Sequence, residues 1–284
     1  MSSPKLTKMK KMCYDTAVNK KMGVPWMIRL VATDLDGTLL EDGRLPEGTF
    51  EAVRALKAAG VRFAAASGRT YGNLRRLFAP VADEIAYVCE NGAMCVADGV
   101  VSDIIAIPPA EAREIIADIE AAGMNLLISG RHTTYLLDQN RKYTDDIVYR
   151  LRNTVTIVDS PEDIAEPMLK ISGQIDQGLE QIAPVLLQKW SGRATATVSG
   201  QDWFDFTWAN KGQGMQNLLR RLGIPAAETA AFGDNFNDET MLDLVGYPFI
   251  MIEADKRLHK PDYRLCEKEL PILRRIAQST GRRF

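Results

Sequence analysis

The stretch VATDLDGTLL, residues 31–40, is an apolar run that carries two carboxylates two positions apart and then a glycine. Residues 28–33 are mostly apolar and β-branched, which predicts a parallel strand buried on both faces, with Asp34 at its carboxyl end. Ligands bind at that edge of open α/β sheets. An ordinary Asp-Gly turn with Thr38 as a helix cap is the alternative. However, Asp34 and Asp36 flank one buried leucine, where they would repel each other and resist desolvation unless a cation or a reaction used them.

Composition and charge narrow the kind of partner. The 284 residues are 46% hydrophobic, which is enough for a sizeable core and for two domains. A formal net charge of -2 gives no general attraction to nucleic acid or to a membrane surface. No stretch approaches the ~20 apolar residues of a membrane span. We therefore expect a small metabolite as partner, no nucleic acid, no membrane, and a monomer or weak homodimer.

The cysteines and the first 26 residues indicate the cellular compartment in which we expect the protein. The four cysteines have no metal-ligand spacing, so free buried thiols in a reducing cytoplasm are expected. Residues 1–26 carry six lysines but no apolar run, so they do not read as a secretory signal. A flexible, solvated basic leader is the simplest interpretation, and a tail that touches anionic lipid or RNA is the alternative.

The pattern of apolar segments predicts two domains. Residues 27–107 and 201–284 carry short, continuously apolar strands that alternate with amphipathic helices, which indicates an α/β core with a Rossmann-like, doubly wound parallel sheet. Between them, residues 108–200 run helix, strand, strand, helix, strand, strand, helix, strand, with more polar alternation along the strands. This segment is predicted to be an inserted α+β cap domain. The aromatic residues 203–208 are expected to return the chain to the core.

Three further groups of polar residues follow a core strand or begin a core helix. Ser67-Gly68-Arg69 follows the strand at 61–66, where a hydroxyl and free amides suit an anion, although serine is also an ordinary helix cap. Arg69 either pairs with phosphate or covers the sheet edge. Lys211 opens a helix, which is unfavourable for the helix dipole unless an anion is near. Acidic residues within 234–239 suggest a hard-cation site, and an acidic helix start would explain all of them except the first.

The segment Asp34-Leu35-Asp36-Gly37-Thr38-Leu39 resembles the signature of the haloacid dehalogenase-like superfamily of phosphohydrolases. The Glu90-Asn91-Gly92 turn and the position of the insertion are similar to those of its Cof-type branch. The resemblance implies that Asp34 is the nucleophile and Asp36 the general acid/base. Lys211 matches the third motif, which implies that it neutralises Asp34 and the phosphoryl group.

The same resemblance implies the ligands of the phosphate and of a metal. Ser67 and Gly68 would bind the phosphate, and Arg69 is a conditional partner. Asn91 would contact the substrate, and Asn237 would orient Lys211 or the phosphate.

Mg²⁺ is the cofactor that the resemblance implies. Asp34, the Asp36 carbonyl and Asp234 would hold it. Asp238 would support the metal without contacting it, through the residues around the metal.

A Mg²⁺-dependent phosphatase that forms an aspartyl-phosphate on a small phosphate monoester, such as a sugar phosphate or a cofactor-related phosphate, is the function that this resemblance implies. A phosphomutase on the same core and a non-catalytic module that holds a phosphorylated ligand are the alternatives. Loss of one acid would favour the binding module, yet every acid and the lysine are present. Family members often have Gly-Asn-Ala where this chain has Ile252-Glu253-Ala254, and this departure makes the substrate harder to infer.

Overall fold

The structure is a computed structural model that describes residues 27–137 and 140–280. The predicted basic leader, residues 1–26, therefore lies outside the described residues. The strands are β1 (Leu30–Thr33), β2 (Arg62–Ala66), β3 (Ala86–Cys89), β4 (Met94–Ala97), β5 (Val100–Ile104), β6 (Asn125–Ser129), β7 (Thr134–Leu137), β8 (Val155–Val158), β9 (Lys170–Gln174), β10 (Thr195–Ser199), β11 (Trp203–Thr207), β12 (Thr229–Gly233), β13 (Tyr247–Met251) and β14 (Arg264–Cys266). The helices are α1 (Thr49–Ala58), α2 (Tyr71–Leu77), α3 (Pro109–Ala121), α4 (Arg141–Asp145), α5 (Leu179–Trp190), α6 (Lys211–Leu222), α7 (Glu239–Leu242) and α8 (Glu269–Thr280).

An eight-stranded sheet forms the core, in the order β14-β13-β12-β1-β2-β3-β4-β5. The six strands from β14 to β3 run parallel, and β4 and β5 continue the sheet antiparallel. The doubly wound parallel core predicted from the sequence is thus confirmed. β1 lies between β2 and β12, so the chain leaves it in one direction and returns on its other side. The carboxyl ends of β1 and β12 are therefore the switch point at which ligands bind in such sheets.

Both faces of this sheet are covered, which explains why β1 is apolar throughout. Val31 faces a cluster that includes side chains of α1 and α8. Leu30 and Ala32 face the opposite cluster, which includes side chains of α6 and α7. All four residues of β1 are buried. The helices therefore hold the strand that ends at Asp34 from both sides.

A second sheet of six strands lies between β5 and α6 in the chain, in the order β10-β11-β9-β6-β7-β8. It is antiparallel except for the pair β7 and β8, and α3 and α5 pack on it through a separate apolar cluster. The expected return to the core at residue 201 is wrong, because β11 pairs with both β10 and β9. The reason is packing: Phe204 and Phe206 are fully buried in the second cluster, and the Phe206 ring lies 5.8 Å from that of Trp190.

The end of the chain adds two elements that the sequence did not reveal. Strand β14 pairs with β13 and forms the edge of the core sheet. Helix α8 follows and buries Leu273 and Ile276 against the α1 face of the core. In the described part of the chain, no helix combines the length and apolar character that crossing a membrane requires.

Candidate active site

Asp34 follows β1 directly and is only 6% exposed. Its backbone N–H donates to the carbonyl of Phe232 on β12 at 3.0 Å, which fixes the carboxylate at the switch point. Burial raises the pKa of Asp34 to about 8, although the nearby Lys211 ammonium opposes this shift. The predicted nucleophile is therefore an acid whose charge depends on what faces it.

Lys211 is the first residue of α6 and is 1% exposed. Its ammonium donates to Asp34 Oδ1 and to Asp238 Oδ1, at 2.5 Å each. Burial alone would lower the pKa of Lys211, but Asp238 and Asp34 outweigh it, so its pKa is raised and the group stays charged. A lysine at the positive end of a helix, which seemed unfavourable in the sequence, is therefore compensated by two carboxylates.

Asp238 is fully buried and has both carboxylate oxygens occupied. Oδ1 takes the Lys211 ammonium, and Oδ2 accepts from the backbone N–H groups of Asp234 and Asn235 at 3.0 Å each. This pattern fixes the loop after β12 and the position of Lys211 together. It favours the supporting role predicted for Asp238 over direct metal ligation.

Asp234 reaches the same place from the end of β12. Oxygens of Asp34, Asp234 and Asp238 lie within 4.8 Å of one another, and Thr38 Oγ1 donates to Asp234 Oδ1 at 3.0 Å. Gly37 has φ +89°, and a Cβ there would lie 2.2 Å from Asp234 Oδ2. The glycine of the opening motif is thus required for this close approach.

The charge of this cluster fits a bound cation. Three carboxylates face one ammonium, and burial raises the pKa of Asp234, with the Asp238 charge adding to the effect. Carboxylate oxygens are the ligands that a hard cation such as Mg²⁺ prefers. Since both oxygens of Asp238 are engaged, Asp34 and Asp234 are the carboxylates best suited to hold it. Ligation by the Asp36 carbonyl stays a prediction.

Asp36 points away from this cluster, and its side chain is 58% exposed. Arg69 donates to both of its oxygens, from Nε at 2.8 Å and from Nη2 at 2.5 Å. The sequence offered phosphate or the sheet edge as the partner of Arg69, and the structure places it on the predicted general acid/base instead. This bidentate pair lies at the surface of the site, where a substrate phosphate could compete for the guanidinium.

Residues 67–70, which we call the phosphate loop, follow β2. Ser67 is 2% exposed, and its Oγ accepts from the Arg69 N–H at 3.3 Å. The Ser67 carbonyl accepts from the backbone N–H of Asn91 at 3.1 Å, and Asn237 Nδ2 donates to Asn91 Oδ1 at 3.3 Å. The structure therefore brings the predicted substrate contacts together. Asn237 bonds to Asn91, while the hydrogen bonds of Lys211 go to two carboxylates, and a role of Asn237 toward Lys211 or the phosphate stays a prediction.

Side chains of the second sheet complete the site, and the sequence analysis missed them. Lys170 on β9 donates to the carbonyl of Gly68 at 2.8 Å and pairs with the buried Glu90 at 3.0 Å. Ser172 donates to Asp205 Oδ1 at 2.6 Å. A cavity of about 340 Å³ lies between these residues and the phosphate loop, and its lining also includes Asn73, Arg150, Asn153 and Trp203. Little in the sequence marks them, because Lys170 begins a strand that also contains Ser172 and Gln174.

Glu269, at the start of α8, is a second buried group that the motifs did not reveal. It is 3% exposed, and its Oε2 lies 2.6 Å from Thr33 Oγ1, which is also 2.6 Å from the Asp34 carbonyl oxygen. Burial raises the pKa of Glu269 to about 8; the Thr33 hydrogen bond opposes this shift and the Asp34 charge adds to it. The protonated acid is therefore the form that the fold favours.

Glu269→Gln should change how the stability of the protein depends on pH. A carboxyl group whose pKa is raised in the fold contributes stability below its ordinary pKa of 4.5 and loses that contribution as the pH rises to about 8. The variant cannot ionise there, so its free energy of unfolding relative to wild type should increase from pH 5 to pH 8, by at most about 4 kcal/mol. Urea unfolding at both pH values measures this difference.

The exposed Glu267 lies two positions earlier and provides the matched control. Glu267→Gln should change the free energy of unfolding by no more than ~0.5 kcal/mol at either pH, as surface substitutions do. A difference between Glu269→Gln and wild type that stays constant from pH 5 to pH 8 would show that Glu269 ionises normally in the fold.

Comparisons with known proteins agree with this arrangement. The model of a family described as haloacid dehalogenase-like hydrolase matches residues 31–262. The 5-amino-6-(5-phospho-D-ribitylamino)uracil phosphatase YbjI of Escherichia coli strain K12 is 29% identical over 238 residues, which cover 80% of this chain and 86% of that protein. The HMP-PP phosphatase of Cronobacter sakazakii is 28% identical over 253 residues, 86% of this chain and 93% of that one.

A solved structure shares both the fold and part of the sequence. SMU.1108c from Streptococcus mutans UA159 superposes with a TM-score of 0.74 at 26% identity, covering 88% of this chain and 98% of that one. The family match includes Asp34, Ser67 and Asp234, together with the second sheet. The chain belongs to the haloacid dehalogenase-like hydrolase family.

Proposed function

We propose that this protein is a Mg²⁺-dependent phosphatase that hydrolyses a small-molecule phosphate monoester through a phosphoryl group carried on Asp34. The observation that supports this most directly is the buried cluster at the switch point. There, Asp34 meets the Lys211 ammonium at 2.5 Å and lies beside the carboxylates of Asp234 and Asp238. Such a carboxylate is poised to attack phosphorus once its charge is balanced.

Asp34 and the residues around it have different roles in the reaction. Asp34 attacks the phosphorus in line, while Lys211 neutralises charge that spreads over the phosphoryl oxygens. The hydroxyl of Ser67 binds one of those oxygens. When bound between Asp34 and Asp234, Mg²⁺ would supply charge neutralisation for the phosphoryl group.

Asp36 transfers the proton in both halves of the reaction. It first protonates the leaving alcohol and then takes a proton from the water that hydrolyses the aspartyl-phosphate. In this structure Arg69 holds the Asp36 carboxylate with two hydrogen bonds. Binding of a substrate phosphate by Arg69 would release Asp36 toward the leaving oxygen, which gives the guanidinium a role in both states.

The cavity above the phosphate loop suggests the substrate class. Its volume of about 340 Å³ and its polar lining, which includes Arg150, Asn153 and Asp205, suit a sugar or polyol phosphate or a cofactor-related phosphate. The relatives named above are phosphatases of small phosphorylated metabolites, which supports the same class. Glu253, where the chain departs from the family pattern, is exposed after β13 and is not among the described residues that line this cavity. We keep the cytoplasm as the proposed location, since the cysteines that the structure describes are free and buried.

Phosphate release from a nitrophenyl phosphate tests the proposal. We expect release to require Mg²⁺, to stop in chelator and to return when Mg²⁺ is added in excess. Unchanged turnover in chelator would contradict the assignment of the metal. With a sugar phosphate as substrate, free phosphate supports a phosphatase, whereas an isomeric sugar phosphate without free phosphate would indicate a mutase.

The affinity for Mg²⁺ should rise with pH. The metal-free protein favours a protonated Asp34 below its pKa of about 8, so Mg²⁺ must displace that proton in order to bind. We expect the affinity to rise by up to about tenfold per pH unit between pH 6 and pH 8 and to level off above that. Calorimetry in two buffers with different ionisation enthalpies measures the affinity and the protons released. Equal affinity at pH 6 and pH 8 would show that Asp34 is already ionised.

A further inference from the structure

Lys170 lies on β9 of the second sheet, yet two of its partners belong to the core. Its ammonium donates to the Gly68 carbonyl at 2.8 Å and pairs with Glu90 Oε2 at 3.0 Å. A third partner, Asp205 Oδ2 on β11, lies at 3.7 Å. Lys170 is 9% exposed, so it joins the two sheets within the protein interior at the edge of the phosphate loop.

The contact with Gly68 acts on the peptide unit that orients Ser67. A trans peptide is planar, with its carbonyl and its N–H directed to opposite sides. The unit between Gly68 and Arg69 is held at both ends: its carbonyl accepts from Lys170, and its N–H donates to Ser67 Oγ at 3.3 Å. The direction of the Ser67 hydroxyl therefore depends on a lysine of the second sheet.

The turn after β3 supports the phosphate loop from the other side. Glu90 and Asn91 both have positive φ values, 48° and 53°, a left-handed conformation that is unfavourable for residues other than glycine. The N–H of Glu90 donates to the Arg69 carbonyl at 3.1 Å, and that of Asn91 donates to the Ser67 carbonyl at 3.1 Å. The Glu90 carboxylate meets Lys170, so one side chain contacts both loops.

Lys170 keeps its charge in this position. Burial alone would lower the pKa of Lys170, but Asp205 and Glu90 outweigh that effect and raise it. A charged donor makes a stronger hydrogen bond to a carbonyl than a neutral one does. The contact with Gly68 is therefore suited to fix a loop rather than only to fill space.

We propose that Lys170 is a positioning residue that sets the geometry of the phosphate loop through the Gly68 carbonyl. The inference rests on the proposed function in one respect, namely that Ser67 binds the phosphoryl group. It makes the affinity for phosphate depend on a strand of the second sheet, in addition to any contact of that sheet with the leaving group.

Binding of inorganic phosphate in the presence of Mg²⁺, measured by calorimetry, tests this without turnover. Lys170→Met should weaken binding by about tenfold, which is on the order of what the loss of one well-placed hydrogen bond costs in affinity. Glu90→Gln retains the Lys170 bond to Gly68 and should bind within about twofold of wild type, since neutral amide and carboxylate have the same shape. Lys170→Met should also raise KM for nitrophenyl phosphate about as much as it weakens phosphate binding.

A buried carboxylate left without its lysine could destabilise the single variant. The double variant Lys170→Met/Glu90→Gln removes one such charge, and it should lose phosphate affinity as Lys170→Met does. Lys189 provides the matched control: it also contacts two carboxylates, Asp118 at 2.7 Å and Glu114 at 3.2 Å, but lies away from the phosphate loop. Lys189→Met should bind phosphate like wild type.

The pattern across the variants decides between the alternatives. Equal losses in Glu90→Gln and Lys170→Met would assign the effect to the ion pair and overturn the role of the Gly68 carbonyl. Normal phosphate affinity in a folded double variant would overturn the proposal altogether. A wild-type protein that binds phosphate but hydrolyses no ester would refute the phosphatase and leave this test intact. If wild type hydrolyses the ester but binds free phosphate too weakly to measure, KM decides, and an unchanged KM in Lys170→Met would overturn the proposal on Lys170 alone.

Discussion

Asp34→Asn should abolish turnover of every phosphate ester, with a loss on the order of 10⁴–10⁶-fold, as removal of a catalytic nucleophile does. The amide cannot attack phosphorus, so no phosphorylated enzyme should form. Rapid acid quenching with a ³²P-labelled substrate measures this directly, because acyl phosphates survive in acid. Label that remains on the Asp34→Asn protein would place the nucleophile elsewhere.

The same variant should remain folded, which separates lost chemistry from lost structure. Burial disfavours the charge of Asp34 in the metal-free protein, and Asn carries no charge. Lys211 keeps Asp238 as a partner. We therefore expect the melting temperature of metal-free Asp34→Asn at pH 8 to be no lower than that of wild type. A protein that is both inactive and less stable would leave the catalytic interpretation without support.

The sequence predicted the parts of the site that depend on strand ends. Asp34, Ser67 and Asp234 each follow an apolar strand, and parallel strands bring their carboxyl ends to one edge of a sheet. The order of β1 and β12 in the sheet then follows from the doubly wound pattern. Lys211 was recognisable because a lysine at a helix N-terminus needs an anion nearby.

Partners chosen by packing between distant segments could not be predicted. Phe204 and Phe206 are equally suited to either apolar core, and only the pairing of β11 with β9 and β10 shows which one they fill. No sequence pattern marks Glu269 as buried, because its burial behind β1 results from the packing of helix α8. An acidic residue at a helix start is an ordinary feature of the dipole.

The contacts of Arg69 and Lys170 were missed for a related reason. Each is a long cation in a polar turn or strand, and the sequence does not say which of many carboxylates it meets. Arg69 forms an ion pair with Asp36, and Lys170 on the second sheet forms one with Glu90 in the core. These contacts determine how the site is held together, whereas the motifs determine which chemistry it can perform.

The expected effect of Asp36→Asn depends on the leaving group, because the leaving oxygen needs a proton from Asp36 only when it is a poor leaving group as an anion. Loss of general acid/base catalysis costs roughly 10²–10⁴-fold. We expect the first step with a sugar phosphate to slow by that amount, since its alkoxide needs a proton. With nitrophenyl phosphate the first step should slow much less. Hydrolysis of the aspartyl-phosphate in Asp36→Asn should remain slow compared with wild type. Phosphate should therefore accumulate on Asp34 in this variant and be absent from Asp34→Asn.

Asp42 supplies the control for this last comparison, because it is an exposed carboxylate at the turn that follows the opening motif. Asp42→Asn should leave both steps at wild-type rates with either ester. The Arg69 pair with Asp36 is bidentate, and an amide at position 36 can accept only one of these bonds, so Arg69 becomes freer to bind phosphate. KM for nitrophenyl phosphate should thus stay level or fall in Asp36→Asn while turnover drops. Equal slowing of both esters in the first step would mean that Asp36 acts by holding the site together and not by moving a proton.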